Sequence, residues 1–277
     1  MLKTFVLTIF PKLTKDLLNL SILKRAINKK ILEVEIINIR NFSSDKHKKV
    51  DDYVYGIKKG MLFKFEPLYK ALEYSKKKCK TPYVILPSPK GKILNDNIIR
   101  DLSKLNEIIF IAPNYEGIDE RIIRFINEEI SIGDYIISSG ELAIFVIIES
   151  IIRKLVINET NYIEDSFSLF NIPFLLENPQ YTRPNKLTNP LNNNFNLEVP
   201  KYLIKGNHKE IIKKNLENSL TQTIYKKPEL FIKFYRYFQI KKKSKKIYYP
   251  QTFLKFLNYK EIDEILYNSI LNSIIAS

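Results

Sequence analysis

At 277 residues, 45% hydrophobic and 12% aromatic, the chain has the material for one large core or two unequal ones. Its formal charge of +15 favours a polyanionic partner, nucleic acid ahead of a membrane surface, although heavy use of Lys, Ile and Asn is also what nucleotide-composition drift produces. The lone Cys79 excludes a disulfide framework and a cysteine zinc site, and His47 and His208 are too few and too far apart to suggest a metal cluster.

Residues 3–10 read as a buried strand; the apolar run is too short for a signal-peptide core and is stopped by Pro11 and Lys12. Residues 16–30 carry helical spacing, and residues 33–39 alternate as a second strand. Residues 41–61 are polar and aperiodic, a length that is usually functional or disordered inside a compact domain. His47, Asp51 and Asp52 are there either as solvated loop charges or as groups that reach a substrate. A helix over 67–78, a short strand over 83–87, a turn at 88–91, a helix over 95–105 and a strand over 107–112 follow. This alternation predicts an α/β domain with a largely parallel sheet, whose ligands sit outside the carboxyl ends of the strands. The turns at 88–91, 113–117 and 138–140 each follow a predicted strand and can face one pocket.

A helix is expected over 141–156. Its most apolar part, residues 142–152, is interrupted by Glu149 and is too short to span a bilayer, so a soluble protein is expected. Residues 158–200 are rich in Asn and Pro with weak periodicity, marking a linker and an irregular entry to a second domain. Asn207, with Glu210 three residues on, has the form of a capping box at a helix start. Helical patterning runs to Leu220 and returns over 228–237 and 260–275, so the second domain is expected to be small, helical and basic. The run at 241–246 is either a solvated charge cluster or a contributor to nucleic-acid affinity.

One window stands apart. Glycine occurs only 7 times, yet residues 115–142 hold Gly117, Gly133 and Gly140 beside Tyr115, Glu116, Asp119, Arg121, Asp134 and Glu141. Glycine kept against such a background marks places where a side chain would obstruct the backbone or where φ is positive. The pattern fits tight connections in the core and a ligand site equally. In a Lys-dominated chain, Arg121, Arg153 and Arg183 are candidates for positions that need a planar fork. Asp165, beside Glu164, reads either as a helix cap or as a general base on a mobile loop.

The segments YEGIDER and SIGDYIISSGEL within this window closely resemble the signature of the bacterial tRNA (guanine-N1)-methyltransferase family of the SPOUT class. Further islands carry the resemblance in order: Phe10-Pro11, Asp51-Asp52, Tyr55-Gly56, Gly60-Met61, Ser88-Pro89 with Gly91, then Glu164 to Phe167, Tyr181 to Pro184, Glu198 to Pro200, Gly206 to His208 and Lys227 to Leu230. The tail beyond about Leu230 has no clear counterpart.

The resemblance implies an α/β catalytic domain tied in a deep trefoil knot over residues 1–157, a flexible linker over 158–183, and a small all-α tRNA-binding domain over 184–277. It implies a cytoplasmic homodimer with active sites at the subunit interface, no membrane association, and transfer of a methyl group from S-adenosylmethionine to N1 of the guanine 3′ of the anticodon. The cofactor loops correspond to Ser88, Pro89, Pro113, Tyr115 and Glu116, then Ile132, Gly133, Asp134, Tyr135, Ile136 and Ile137, and finally Gly140. Asp165 corresponds to the family's proposed base, and Arg153 to an arginine near that base. A divalent ion such as Mg²⁺ is compatible with this chemistry, and no residue pattern here points to one. Two other readings stand beside it: a catalytically weakened tRNA-binding relative, and a SPOUT enzyme that methylates RNA ribose.

The chain departs from the family pattern at five places. Pro113 stands where the family has glycine, Asn114 where it has arginine, Ser139 where it has the first of two adjacent glycines, Ile57-Lys58-Lys59 where it has a run rich in glycine, and Gln180 where it has histidine. Because proline lacks an N–H, weaker cofactor affinity is the expectation.

Overall fold

The computed structural model describes residues 1–19, 21–57, 59–160, 168–169, 172–188, 196–243 and 259–275. The chain separates into two compact units, Met1–Asn161 and Tyr162–Ser277.

In the first unit, β1 (Leu2–Thr8), β2 (Leu32–Asn38), β5 (Tyr83–Ile93), β6 (Glu107–Ile111) and β7 (Glu128–Ser131) form a five-stranded sheet in the order β2-β1-β6-β5-β7. Every pairing in it is parallel. The inner strands β1, β6 and β5 present apolar residues on both faces, as a covered parallel sheet requires, while the edge strands β2 and β7 carry Glu33, Glu35, Glu128 and Glu129. Val6, Ile108 and Phe110 join one core, packed against α2 (Ser21–Asn28), α4 (Asp96–Leu102) and α5 (Gly140–Thr160). Phe5, Leu7, Ile109 and Ile111 alternate onto the other core with Leu68, Ala71 and Leu72 of α3 (Phe65–Lys76).

Three local readings are corrected. The helix expected over 16–30 is two helices, α1 (Pro11–Leu17) and α2. Pro11 stands at the start of α1, and its last turn tightens where Asn19 N–H donates to Asp16 O at 3.1 Å. The loop expected over 41–61 contains a 3₁₀ turn at Ile39–Phe42 and an antiparallel pair, β3 (Asp51–Tyr53) and β4 (Met61–Phe63). Three-residue strands are too short to display alternation. The strand expected to end at Pro87 continues to Ile93, but its register against β7 jumps between Pro87 and Lys92, so residues 88–91 bulge out of the ladder. Gly91 is needed there, because a Cβ would sit 2.4 Å from the Glu129 carbonyl carbon.

The second unit holds α6 (Lys201–Ile204), α7 (His208–Lys226), α8 (Pro228–Lys243) and α9 (Tyr259–Ile275). Its core joins Ile212, Leu216 and Leu220 of α7 to Phe234 and Phe238 of α8 and Ile265 and Leu266 of α9. Asn207 caps α7 as expected, its side chain accepting from Glu210 N–H at 3.3 Å. The unit is not purely helical. Two short antiparallel ladders join it, β8 (Ser168–Leu169) with β9 (Ile172–Pro173), and β10 (Lys186–Thr188) with β11 (Asn196–Glu198). Within the segment read as a linker, Leu175 is fully buried in this core, and Leu176 N–H donates to Thr223 Oγ1 at 2.9 Å. Among the described residues no helix is long and apolar enough to cross a membrane.

Candidate active site

The carboxyl ends of β5, β6 and β7 open into a cleft of about 410 Å³. That volume lies within the usual range for small-molecule sites, and the place is where open parallel sheets bind ligands. Three stretches form its walls: residues 87–89 at the bulge in β5, residues 113–117 after β6, and residues 130–133 and 135–138 with Gly140 and Ala143 around the start of α5. The turns that sequence reading aimed at one pocket, 88–91, 113–117 and 138–140, each contribute to these walls.

Of the cofactor residues named from the sequence, Ser88, Pro89, Pro113, Tyr115 and Glu116 line the cleft, as do Ile132, Gly133, Tyr135, Ile136, Ile137 and Gly140. Asp134 is exposed and is not among the lining residues. Asn114, Gly117 and Ser138, which lie in the turns aimed at the pocket, also line it. Sequence reading missed Pro87, Ile130, Ser131 and Ala143, for which neighbours along the chain were the only available signal.

The loop after β6 is held in a conformation it would not choose alone. Tyr115 has φ 58°, the left-handed region, which costs a residue with a Cβ roughly 1–2 kcal/mol. Its ring meets Phe63 of β4 edge-on at 5.5 Å, Glu116 N–H donates to Met61 O at 3.0 Å, and Gly117 N–H donates to Asn114 O at 3.1 Å. The β3–β4 pair therefore braces one wall.

The opposite wall closes on this loop through Gly140, whose N–H donates to Pro113 O at 2.9 Å. A Cβ on Gly140 would lie 2.4 Å from Pro113 Cδ and 2.5 Å from its carbonyl oxygen. Pro113 lacks an N–H, but its carbonyl makes the contact that joins the two walls.

A second groove, of about 630 Å³, lies by β3–β4 and includes Asp52, Lys64, Asp119 and Arg121. Asp52 pairs with Lys64 at 3.2 Å. Arg121 uses its fork as the sequence suggested, with Nε donating to Asp119 Oδ1 at 2.9 Å and Nη2 to Oδ2 at 2.6 Å. Asp119 also caps the 3₁₀ turn Glu120–Phe125 by accepting from Arg121 N–H. The Arg121 side-chain hydrogen bonds, helped by that backbone bond and opposed by burial, hold the Asp119 carboxyl below the ordinary aspartate value.

A carboxyl depressed in the folded state adds stability above its unfolded value, near 3.9, and loses it as pH falls through the lower folded value. Asp119→Asn keeps an oxygen for the backbone cap but not the ion pair. Its stability deficit against wild type is expected to shrink as acid is added through that window, measured by denaturant unfolding across a pH series. A deficit independent of pH would contradict the assignment.

Of the two residues read as catalytic, only Arg153 is described. Asp165 lies outside the described residues. Arg153 is on an exposed face of α5 and is not part of the cleft lining. Sequence reading had the fold bring it beside the pocket; thirteen helical residues at 1.5 Å each put it about 20 Å along the axis from Gly140. Among the described residues no cluster of three or more His, Cys, Asp or Glu side chains is placed to hold a metal ion.

Comparison with known proteins identifies the family. A family profile described as tRNA (Guanine-1)-methyltransferase TrmD matches residues 2–233. A Fervidobacterium nodosum protein named tRNA (guanine-N(1)-)-methyltransferase is 42% identical over 241 residues, 86% of this chain and 93% of its own. A protein of the same name from Caldanaerobacter subterraneus subsp. tengcongensis is 44% identical over 231 residues, covering 82% of this chain and 91% of its own. One from Mycoplasma capricolum subsp. capricolum is 42% identical over 232 residues, covering 83% and 91%. With a profile spanning the whole first unit and most of the second, the chain belongs to the tRNA (guanine-N1)-methyltransferase family.

Proposed function

We propose that the protein methylates N1 of the guanine 3′ of the anticodon in tRNA, using S-adenosylmethionine. The observation that carries this reading is the coincidence of the family's cofactor loops with one cleft at the carboxyl ends of β5, β6 and β7.

The residues fit the cofactor. Pro89, Ile132 and Ile137 offer apolar walls to a flat base, the bulged and turning loops present backbone polar groups, and Glu116 supplies a carboxylate for a cationic group. The absence of a Cβ at Gly140 keeps the two loops in contact at the cleft. When bound, the cofactor supplies an electrophilic methyl group on a sulfonium.

Guanine N1 carries a proton at neutral pH, so its electron pair is free for a new N–C bond only as that proton leaves. Asp165 would take the proton while the guanine N1 pair bonds to the methyl carbon, whose bond to sulfur breaks and leaves its electron pair on a neutral thioether. Arg153 stabilises the negative charge that develops on guanine O6. Holding the base in line with the cleft contributes the rest.

The position of Arg153, about 20 Å along α5 from Gly140, supports an active site completed by a second copy of the chain. Apolar side chains exposed beside the cleft, among them Ile136, Leu142 and Val146, are suited to such a homodimer. The return of the chain from edge strand β7 to contact Pro113 after β6 supports the trefoil-knot reading. The second unit, carrying Lys209, Lys213 and Lys214 on α7, binds the tRNA, and the enzyme works in the cytoplasm.

Nucleoside analysis of tRNA incubated with protein and S-adenosylmethionine tests the reaction. 1-Methylguanosine is expected. A 2′-O-methylated nucleoside would replace this reading with ribose chemistry, and no methylation would favour a tRNA-binding relative.

A further inference from the structure

Glu141 is a fully buried carboxylate that the chemistry above does not use. It lies in the first turn of α5, one residue beyond the Gly140 contact, where a helix N-terminus favours negative charge. Both its oxygens are engaged. Thr8 Oγ1, at the end of β1, donates to Oε1. Asn114 Nδ2 donates to both oxygens at 3.3 Å, and Ser139 Oγ donates to Oε2 at 2.7 Å. Burying a carboxylate is costly unless its oxygens are satisfied, and the three side chains that satisfy it come from three separate connections.

Those connections are the exits of β1, β6 and β7. Asn114 belongs to the loop that lines one wall of the cleft, and Ser139 sits between Ser138 and Gly140 of the opposite wall. Thr8 ties the assembly to the sheet and also accepts Phe10 N–H at 2.8 Å.

We propose that Glu141 is a positioning residue: through Asn114 and Ser139 it sets the separation of the two loops that hold the cofactor. It touches neither cofactor nor tRNA. Asn114 and Ser139 act as a unit, each donating to an acceptor the other also uses. This rests on the cofactor reading given above.

Ser139 is not among the residues lining the cleft, so any effect of its hydroxyl on cofactor affinity travels through Glu141. The experiment titrates S-adenosylmethionine calorimetrically into full-length wild type, Ser139→Ala and Ser139→Thr, with affinity for unmodified tRNA measured separately without cofactor. Hydrogen exchange is followed in the same proteins at Gly140 and Gly117, the amides that close the two loops, and at Ile109 and Phe110 in β6. Ser139→Ala is expected to raise the cofactor Kd roughly tenfold, the loss of one charge-assisted hydrogen bond. Exchange should quicken at Gly140 and Gly117 while β6 stays protected, and tRNA affinity should not change. Ser139→Thr keeps the hydroxyl and should restore both readouts.

Glu141→Gln turns an amide N–H₂ toward existing donors and should exceed Ser139→Ala in both effects; if it does not fold, the Ser139 pair carries the test. Wild-type affinity and exchange in Ser139→Ala overturn the proposal, as does equal loss of protection in β6 and the loops. If wild type itself takes up no S-adenosylmethionine, the cofactor reading fails. Exchange at Gly140 and Gly117 then decides whether the carboxylate holds the loops.

Discussion

Asp165→Asn is expected to slow methyl transfer by roughly 10²–10⁴-fold in single-turnover assays with tRNA bound, the usual worth of a positioned general base. The replacement is nearly isosteric and keeps an oxygen acceptor, but an amide cannot take up the N1 proton. Affinities for S-adenosylmethionine and for tRNA should stay near wild type, which separates loss of the base from loss of the site. The rate for wild type should rise with pH until the base is fully ionised, and this limb should be absent in the variant. Near-normal transfer by Asp165→Asn would remove Asp165 from its role and direct attention to the neighbouring Glu164.

Gly140→Ala should be nearly as damaging by another route. The added carbon would stand 2.4 Å from Pro113 Cδ and 2.5 Å from Pro113 O, closer than non-bonded atoms approach. The obstacle is a proline ring and its backbone, which cannot swing aside as a flexible side chain does. The two walls must part, lengthening the Gly140 N–H to Pro113 O bond. Overpacking of this kind costs about 1–3 kcal/mol. Each kcal/mol corresponds to about 2–4 °C in Tm for a unit of this size. Cofactor affinity should fall by more than the stability does, because the strain is released into the cleft. A calorimetric Kd equal to wild type would contradict this account of the cleft's closure.

Much of this organisation was legible in the sequence because the physics is local. Strands such as the one read over 107–112, apolar after Glu107 and followed at once by a turn, announce a covered parallel sheet. Scarce glycines flagged Gly140, where space is the constraint, and the loops of the cleft followed from their positions after strands. Asn207 announced its cap through the spacing to Glu210.

Other features depend on contacts that no spacing reveals. The break between α1 and α2 lies inside an unbroken helical pattern. The continuation of β5 past Pro87 rests on a partner strand, β7, that re-registers beyond a bulge. The role of Asn114 could not be read from position 114, because the carboxylate it serves lies 27 residues away at Glu141. Sequence reading placed Arg153 beside the pocket because α5 begins there; the length of the helix removes it.

The central claim is that this cleft delivers a methyl group to one guanine of tRNA. The most direct measurement uses labelled S-adenosylmethionine and two tRNA transcripts that differ only at the position 3′ of the anticodon. The transcript with guanine there should accept label, recovered as 1-methylguanosine, and the transcript with adenine there should accept none. Equal labelling of both transcripts, or labelling of neither, would contradict the account.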